Sequence, residues 1–172
     1  MVTGTLVPVE EYLHTCYEPD CDYLEGVLAE RNVGQRDHSR TQLLLAKYFA
    51  VREELWGIKA FTELRLRVRE RRYRIPDLCV VLGEMPDEPV FTTTPFLCVE
   101  ILSPDDTVSA LQERIDDYLQ FGVRFVWLID PQSRRGWVYT PGEIREAKDG
   151  VLRTAGPALE APLAELFDPP RG

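Results

Sequence analysis

Apolar residues recur along several segments with the spacing typical of amphipathic helices. Residues 35–56 form the longest such segment, and Gly57 is placed to end the helix that the pattern predicts. Its apolar stripe consists of Leu44, Tyr48, Val51 and Leu55, with Leu45, Phe49 and Trp56 beside it. Residues 108–120 predict a second helix with apolar side chains at four-residue spacing, and residues 8–17 predict a short one.

Other apolar residues follow the patterns typical of strands. Residues 74–82, 96–102 and 124–130 are apolar on both faces, which predicts three strands in the centre of a sheet. The last two are separated by a single predicted helix, so we expect them to pair in parallel. Residues 63–69 alternate between apolar and charged side chains, which predicts a half-buried strand, and residues 22–30 predict another.

The predicted order of elements indicates a fold class. It is α-β-α-β-β-β-α-β, followed by a hairpin through residues 137–139 near the C-terminus. This order favours an α/β fold with a mixed sheet flanked by helices. A length of 172 residues fits a single domain, and we predict one domain over residues 1–172.

Composition bears on where in the cell the protein is expected and on whether a zinc site is expected. The chain has no apolar run of about 18 residues and no signal-type N-terminus, so we expect a cytoplasmic protein that does not enter a membrane. Four cysteines occur without a CxxC pair, beside only two histidines. This pattern gives little support to a zinc site and favours free thiols in a reducing compartment.

Two carboxylates interrupt otherwise apolar strands. Asp77 lies in the run at 74–82 and Glu100 in the run at 96–102. Burying an unpaired carboxylate costs several kcal/mol, so a basic partner, a raised pKa or a bound metal ion must offset the cost. A divalent cation would offset both charges at once, whereas capping or pairing with arginine at a strand end is the structural alternative.

Residues 65–74 hold the densest cluster of positive charge in a chain whose net charge is −9. The cluster consists of Arg65, Arg67, Arg69, Arg71, Arg72 and Arg74, with Glu70 as its one acid. One interpretation is a surface that contacts the phosphate backbone of nucleic acid. The other interpretation is a solvated strand face and turn.

Several segments together form a recognisable pattern. They are RIPDLCVV at 74–81, PFLCVEILSPDDT at 95–107, FGVRFVWLIDP at 121–131, and DYLEGVL at 22–28 with His38 after it. The chain resembles the Uma-two family of bacterial endonucleases, within the restriction-endonuclease-like PD-(D/E)XK superfamily. The resemblance extends over roughly residues 8–168 and implies a restriction-endonuclease-like fold.

The resemblance also implies a function and a set of site residues. It implies a DNA endonuclease that uses Mg²⁺ or Mn²⁺, with Asp77 and Glu100 as metal ligands and Asp22 completing the site. His38 would line the site and contact phosphate or water, although a hydrogen-bonded structural histidine is the alternative. A homodimer is expected by analogy with the superfamily. Backbone contacts to DNA are expected from Arg65, Arg67, Arg69, Arg72 and Arg74.

The chain departs from the superfamily pattern at the catalytic lysine. The usual position, two residues after Glu100, holds Leu102, and the matching position on the following helix holds Arg114. Arg114 lies at the edge of that helix's apolar stripe, next to Ile115, so its side chain can point toward the sheet. Arginine does not give up its proton, so Arg114 could neutralise phosphate charge or orient water but could not act as a general base. The alternative function is a catalytically inactive binding module, in which Arg114 pairs with Glu100.

Overall fold

The computed structural model describes residues 6–32 and 35–169 of the chain. Its helices are α1 (Val9–His14), α2 (Arg36–Ala50), α3 (Glu53–Trp56) and α4 (Val108–Phe121). Its first six strands are β1 (Cys21–Leu24), β2 (Val27–Glu30), β3 (Ile58–Thr62), β4 (Leu66–Arg69), β5 (Arg72–Arg74) and β6 (Leu78–Leu82). The later strands are β7 (Leu97–Ile101), β8 (Phe125–Asp130), β9 (Arg135–Thr140), β10 (Glu143–Glu146), β11 (Val151–Arg153) and β12 (Glu160–Pro162), and a 3-10 helix follows at Leu163–Glu165.

The larger sheet has six strands in the order β10-β9-β8-β7-β6-β3. Strands β7 and β8 pair in parallel, as the single helix between them predicts, while the other neighbours are antiparallel. The predicted C-terminal hairpin is formed by β9 and β10. The predicted α/β class with a mixed sheet is therefore confirmed.

Helices α2 and α4 cover opposite faces of this sheet, each over its own apolar core. Leu78 and Val80 of β6 belong to the core beneath α2, whereas Cys79 and Val81 belong to the core beneath α4. This alternation follows from the two-residue period of a strand, and it explains why the run is apolar on both faces. None of the helices in the described ranges is long and apolar enough to cross a membrane.

Helix α2 buries the side on which Leu45 and Phe49 flank the predicted stripe, rather than the centre of the stripe itself. Its buried residues are Thr41, Leu45 and Phe49. Val51 and Leu55 of the predicted stripe are 70% and 80% exposed. The prediction of one helix over residues 35–56 is wrong because α2 ends at Ala50 and the separate helix α3 follows, which changes the faces that the later side chains present.

The smaller sheet has four antiparallel strands in the order β2-β1-β5-β4. Its own core includes Tyr12, Tyr23 and Tyr73, with the rings of Tyr12 and Tyr23 centred 5.0 Å apart. The prediction of a single strand over residues 22–30 is wrong, because Glu25 and Gly26 form a turn between β1 and β2. Both residues have positive φ angles, 51° and 102°, which suits glycine at the second position.

The chain passes from the smaller sheet to the larger one at Pro76. The predicted strand over residues 74–82 is therefore two strands, β5 and β6, with Ile75, Pro76 and Asp77 between them. Proline has no N–H to donate to a sheet ladder, which accounts for the break. Leu78 of β6 pairs with Val99 of β7, so one further step along this register brings Asp77 beside Glu100.

Candidate active site

A polar pocket of about 190 Å³ opens where β6, β7, α2 and α4 meet. Its walls include Asp77, Glu100, His38, Arg114 and Arg31. The first four are the residues predicted from the sequence to act in catalysis, and the structure brings them together. Each comes from a different element or loop end, so the pocket exists only in the folded chain.

Asp77 is 1% exposed, and both of its carboxylate oxygens accept hydrogen bonds. Arg31 Nη2 donates to Oδ1 over 2.6 Å, and the backbone N–H of Ile101 donates to Oδ2 over 2.7 Å. His38 Nε2 lies 3.3 Å from Oδ2. Burial raises the pKa of Asp77, but the hydrogen bond from His38 and the charge of Arg31 outweigh burial, so the pKa lies below its ordinary value. Asp77 is therefore held as a carboxylate.

Glu100 is less well compensated than Asp77. The hydroxyl of Tyr118 donates to its Oε1 over 2.6 Å, while its Oε2 lies 3.7 Å from Arg114 Nε, too far for a hydrogen bond. Burial raises the pKa of Glu100 to about 7, although the charge of Arg114 opposes the rise and that of Asp77 adds to it. Glu100 is thus poised to change its charge near neutral pH.

Arg114 reaches the pocket from α4, as its place at the edge of the helix stripe predicts. Its Nη2 donates to Asp106 Oδ1 over 2.6 Å, which fixes the guanidinium beside Glu100. Its Nε is buried and has no hydrogen-bond partner among the residues that the structure describes. An unpaired buried donor is costly, so this N–H is suited to an anionic or water oxygen in the pocket.

His38 stands in the first turn of α2 with a side chain that is 12% exposed. Burial lowers the pKa of His38, but its hydrogen bond to Asp77 and the charge of that acid raise the pKa above its ordinary value. Its Nδ1 is buried and makes no hydrogen bond within the described ranges. One ring nitrogen is therefore anchored to the acid, and the other is left for a further partner.

The sequence patterns did not single out three further residues of the pocket wall. Arg31 follows β2 directly, and Gln42 of α2 donates through Nε2 to the backbone oxygen of Asp77 over 3.1 Å. Glu63 accepts from Gln42 Nε2 over 3.3 Å and has a positive φ of 51°. A non-glycine residue in this backbone region signals a local constraint, which here lies at the rim of the pocket.

Asp22, predicted as a third metal ligand, does not line this pocket. Its Oδ2 accepts from Arg74 Nη1 over 2.8 Å, and its Oδ1 accepts from the N–H of Ile75 over 3.0 Å. It lines a neighbouring cleft between the β1–β2 hairpin and α4. Burial raises the pKa of Asp22 despite the opposing charge of Arg74. Both oxygens of Asp22 are thus engaged within the smaller sheet and the residue that follows it, and its role as a metal ligand stays a prediction.

Arg72 and Arg74, predicted to contact DNA, are buried in an ion-pair network. They are 8% and 3% exposed. Their Nε atoms both donate to Oδ2 of Asp117 on α4, over 2.6 Å and 2.7 Å. Arg72 also pairs with Glu25 over 2.9 Å and with Glu113. The guanidinium groups thus tie the smaller sheet to α4, and this arrangement leaves little of either for a phosphate.

The other three arginines predicted to contact DNA differ in how far their side chains already bind partners within the chain. Arg65 donates to the backbone oxygens of Tyr12 and Thr15 and pairs with Asp20 over 3.0 Å, so both of its terminal nitrogens already have partners within the chain. Arg69 has a side chain that is 48% exposed and lies 3.3 Å from Asp117. Arg67 is half-buried on the same strand. Of the five arginines predicted to contact DNA, Arg67 and Arg69 therefore remain the best placed for a partner outside the chain.

Asp77 and Glu100 are the acids of the pocket that could hold a hard divalent cation. Over residues 6–32 and 35–169, no group of three or more His, Cys, Asp or Glu side chains is arranged to hold a metal ion. Magnesium nevertheless is commonly bound through one or two carboxylates, with waters and phosphate oxygens as its other ligands. Asp77 and Glu100 could supply two such oxygens, and the buried unpaired N–H of Arg114 beside them marks a site suited to a further ligand.

Comparison with known proteins identifies the family. A family model described as "Putative restriction endonuclease", the Uma2 family, matches residues 9–164. The chain is similar to a crystal structure from Anabaena variabilis described as a "putative nuclease belonging to DUF820", with 27% identity, a TM-score of 0.77, and coverage of 92% of this chain and 96% of that one. No curated protein matches the sequence significantly. The predicted resemblance is thus confirmed, and the chain belongs to the Uma2 family with a nuclease-type fold.

Proposed function

We propose that the chain is an endonuclease that hydrolyses phosphodiester bonds of DNA with the help of Mg²⁺ or Mn²⁺. The observation that carries this proposal is the meeting of Asp77 and Glu100 in one polar pocket with Arg114 and His38. The family description and the nuclease-type fold support the broader assignment to the nucleases. The use of a divalent metal ion and the choice of DNA as substrate are what we propose beyond that assignment.

In the proposed reaction, the cation and the side chains around it would have different tasks. A divalent cation held by Asp77 and Glu100 would activate water for attack and offset the charge that develops on the phosphate. Tyr118 holds Glu100 by its hydrogen bond, and the N–H of Ile101 holds Asp77, so both carboxylates are fixed in orientation. Fixed charges of this kind cost little reorganisation during the reaction.

Arg114 and His38 are suited to the phosphate and the attacking water. The unpaired Nε of Arg114 can donate to a phosphate oxygen, but a guanidinium cannot accept a proton from water. The unpaired Nδ1 of His38 can contact a phosphate oxygen or orient a water, while Asp77 anchors the other ring nitrogen. Removal of the proton from water therefore requires an acceptor other than Arg114, such as the Nδ1 of neutral His38, solvent or a substrate oxygen.

The test is cleavage of linear, supercoiled and single-stranded DNA with Mn²⁺. The wild type is compared with Asp77→Asn and Glu100→Gln, which keep the shape of each side chain and remove its charge. We expect cleavage by the wild type and a loss of at least about a hundredfold in each variant. Melting curves verify that both variants are folded. Cleavage that survives both substitutions together would overturn the assignment of the site.

A second candidate function is a non-catalytic binding module, which one observation favours. Arg31 pairs with Asp77 over 2.6 Å, and Arg114 lies 3.7 Å from Glu100, so each acid already has a cationic neighbour. Such pairing can hold a pocket together without a metal. The two functions differ in their response to Mn²⁺, because only a metal site adds stability to the native chain when the ion is present.

A further inference from the structure

Arg31 stands directly against the candidate metal ligand Asp77. Its Nη2 donates to Asp77 Oδ1 over 2.6 Å, and its Nη1 lies 3.9 Å from Glu63 Oε1. The side chain of Arg31 is only 15% exposed, so solvent screens the pair with Asp77 weakly. Asp77 therefore has a resident cationic partner inside the pocket.

Of the two carboxylate oxygens of Asp77, Oδ1 is the one that can still accept a further ligand, and it is also the oxygen that accepts from Arg31. Its Oδ2 accepts from the N–H of Ile101 over 2.7 Å and faces His38 Nε2 at 3.3 Å. A carboxylate oxygen offers about two acceptor positions, so these two donors occupy Oδ2. A cation that approaches Asp77 must share Oδ1 with the guanidinium or replace it there.

We propose that Arg31 sets the affinity of the pocket for divalent cations by competing with them for Asp77 Oδ1. The inference rests on the proposed function, since it takes Asp77 as a ligand of the cation. Two positive charges that share one oxygen repel each other strongly in a buried site. Binding of the cation therefore requires the guanidinium of Arg31 to withdraw, and this withdrawal weakens the observed affinity.

The surroundings of Arg31 offer it a second acceptor when it withdraws. The carboxylate of Glu63 is 56% exposed and already lies 3.9 Å from Nη1, at the rim of the pocket. The next residue, Asn32, donates to Asp106 Oδ1 over 3.2 Å, which anchors the backbone near the pocket while the side chain moves. Arg31 can thus move from a buried acid to an exposed one without a change in the fold.

The test is calorimetric titration of the metal-free proteins with Mn²⁺. Arg31→Gln removes the competing charge, and we expect its Kd for Mn²⁺ to fall at least about tenfold below the wild-type value. Arg65→Gln is the matched control, because the side chain of Arg65 is 16% exposed and pairs with Asp20 over 3.0 Å away from the pocket. Its Kd should equal that of the wild type. A purely structural arginine would lower the melting temperature in both variants and leave Kd unchanged.

The outcomes separate this inference from the proposed function. An equal or higher Kd in Arg31→Gln, with Mn²⁺ still bound by the wild type, overturns the inference and leaves the metal site standing. No binding by either protein overturns the metal site and the inference with it. If Arg31→Gln does not fold, Arg31→Met replaces it, because methionine also removes the competing charge and keeps an unbranched apolar stem in place of that of arginine. We then expect a Kd below that of the wild type, and a Kd at or above the wild-type value overturns the inference.

Discussion

The hydroxyl of Tyr118 donates a hydrogen bond of 2.6 Å to Oε1 of Glu100, and the two residues are 0% and 2% exposed. Tyr118 belongs to α4 and Glu100 to β7, so this bond joins the helix to the sheet at the floor of the pocket. It fixes one oxygen of the carboxylate and leaves the other directed toward Arg114. The ionisation of Glu100 therefore depends on a side chain from another element.

Removing this hydroxyl should shift the pH dependence of cleavage. The hydrogen bond from Tyr118 favours the charged form of Glu100, so Tyr118→Phe should raise the pKa of Glu100 further above about 7. Because the proposed metal site needs Glu100 ionised, the acidic limb of the pH–rate profile should move to higher pH. We expect kcat/KM at pH 7 to fall roughly tenfold, and full recovery in more alkaline buffer. A tenfold loss at every pH would contradict this explanation.

The same carboxylate should limit the stability of the fold. The pKa of Glu100 is about 7 in the folded chain and 4.5 ordinarily, so the unfolded chain loses this proton at lower pH. Stability is therefore lost as pH rises between these values. We expect Glu100→Gln to raise Tm by about 4 °C or more at pH 8 and by little at pH 4.5. Melting curves at both pH values check this, and an equal change at both would refute the ionic cause.

Arg74, the more deeply buried of the two arginines of β5, should matter more for stability than for DNA binding. Arg74→Ala leaves the buried Asp22 without its arginine partner and removes one of the arginines that pair with Asp117, and we expect a loss of about 3–5 kcal/mol in the free energy of unfolding by urea. Arg135→Ala is the control, since its pair with Glu146 is exposed and should contribute little. A folded Arg74→Ala variant of normal stability with weakened DNA binding would restore the role predicted from the sequence.

The thiols should divide into one reactive and three protected groups. Cys16 is exposed, whereas Cys21, Cys79 and Cys98 are buried. Burial raises the pKa of Cys79 to about 12 and that of Cys98 well above its ordinary value, which suppresses the reactive thiolate. Labelling with a thiol reagent at pH 8 should modify one cysteine in the native chain and all four after denaturation. Rapid labelling of two or more in the native chain would show that a core opens readily.

The candidate acids were predictable from the sequence because charged residues in apolar runs are anomalous. Asp77 and Glu100 broke the pattern of their strands, and the antiparallel register of β6 and β7 set them side by side. Arg114 was placed by its position next to the apolar stripe of its helix. In each case, the periodicity of the strand or helix determined which way the side chain points, and that direction was sufficient to predict that it reaches the site.

Other parts of the site depend on contacts that periodicity does not encode. Arg31 lies 46 residues from Asp77 and reaches it because β1 and β2 form a hairpin, where the sequence pattern indicated one strand. The arginines of β5 were interpreted as a solvated or DNA-binding face. The charge pattern of the strand does not show that both arginines bind Asp117 of α4, which is more than 40 residues away in the sequence. Partners of this kind follow from the tertiary fold alone.

The passage of the chain from one sheet to the other at Pro76 has a consequence for biosynthesis. Arg31 leaves the ribosome early on the smaller sheet, Asp77 follows at the junction, and Glu100 and Arg114 emerge only later. An incomplete chain that ends at β6 has Asp77 but lacks Glu100 and Arg114, together with the strand and the helix that carry them. The cleavage that we propose therefore requires synthesis at least through α4.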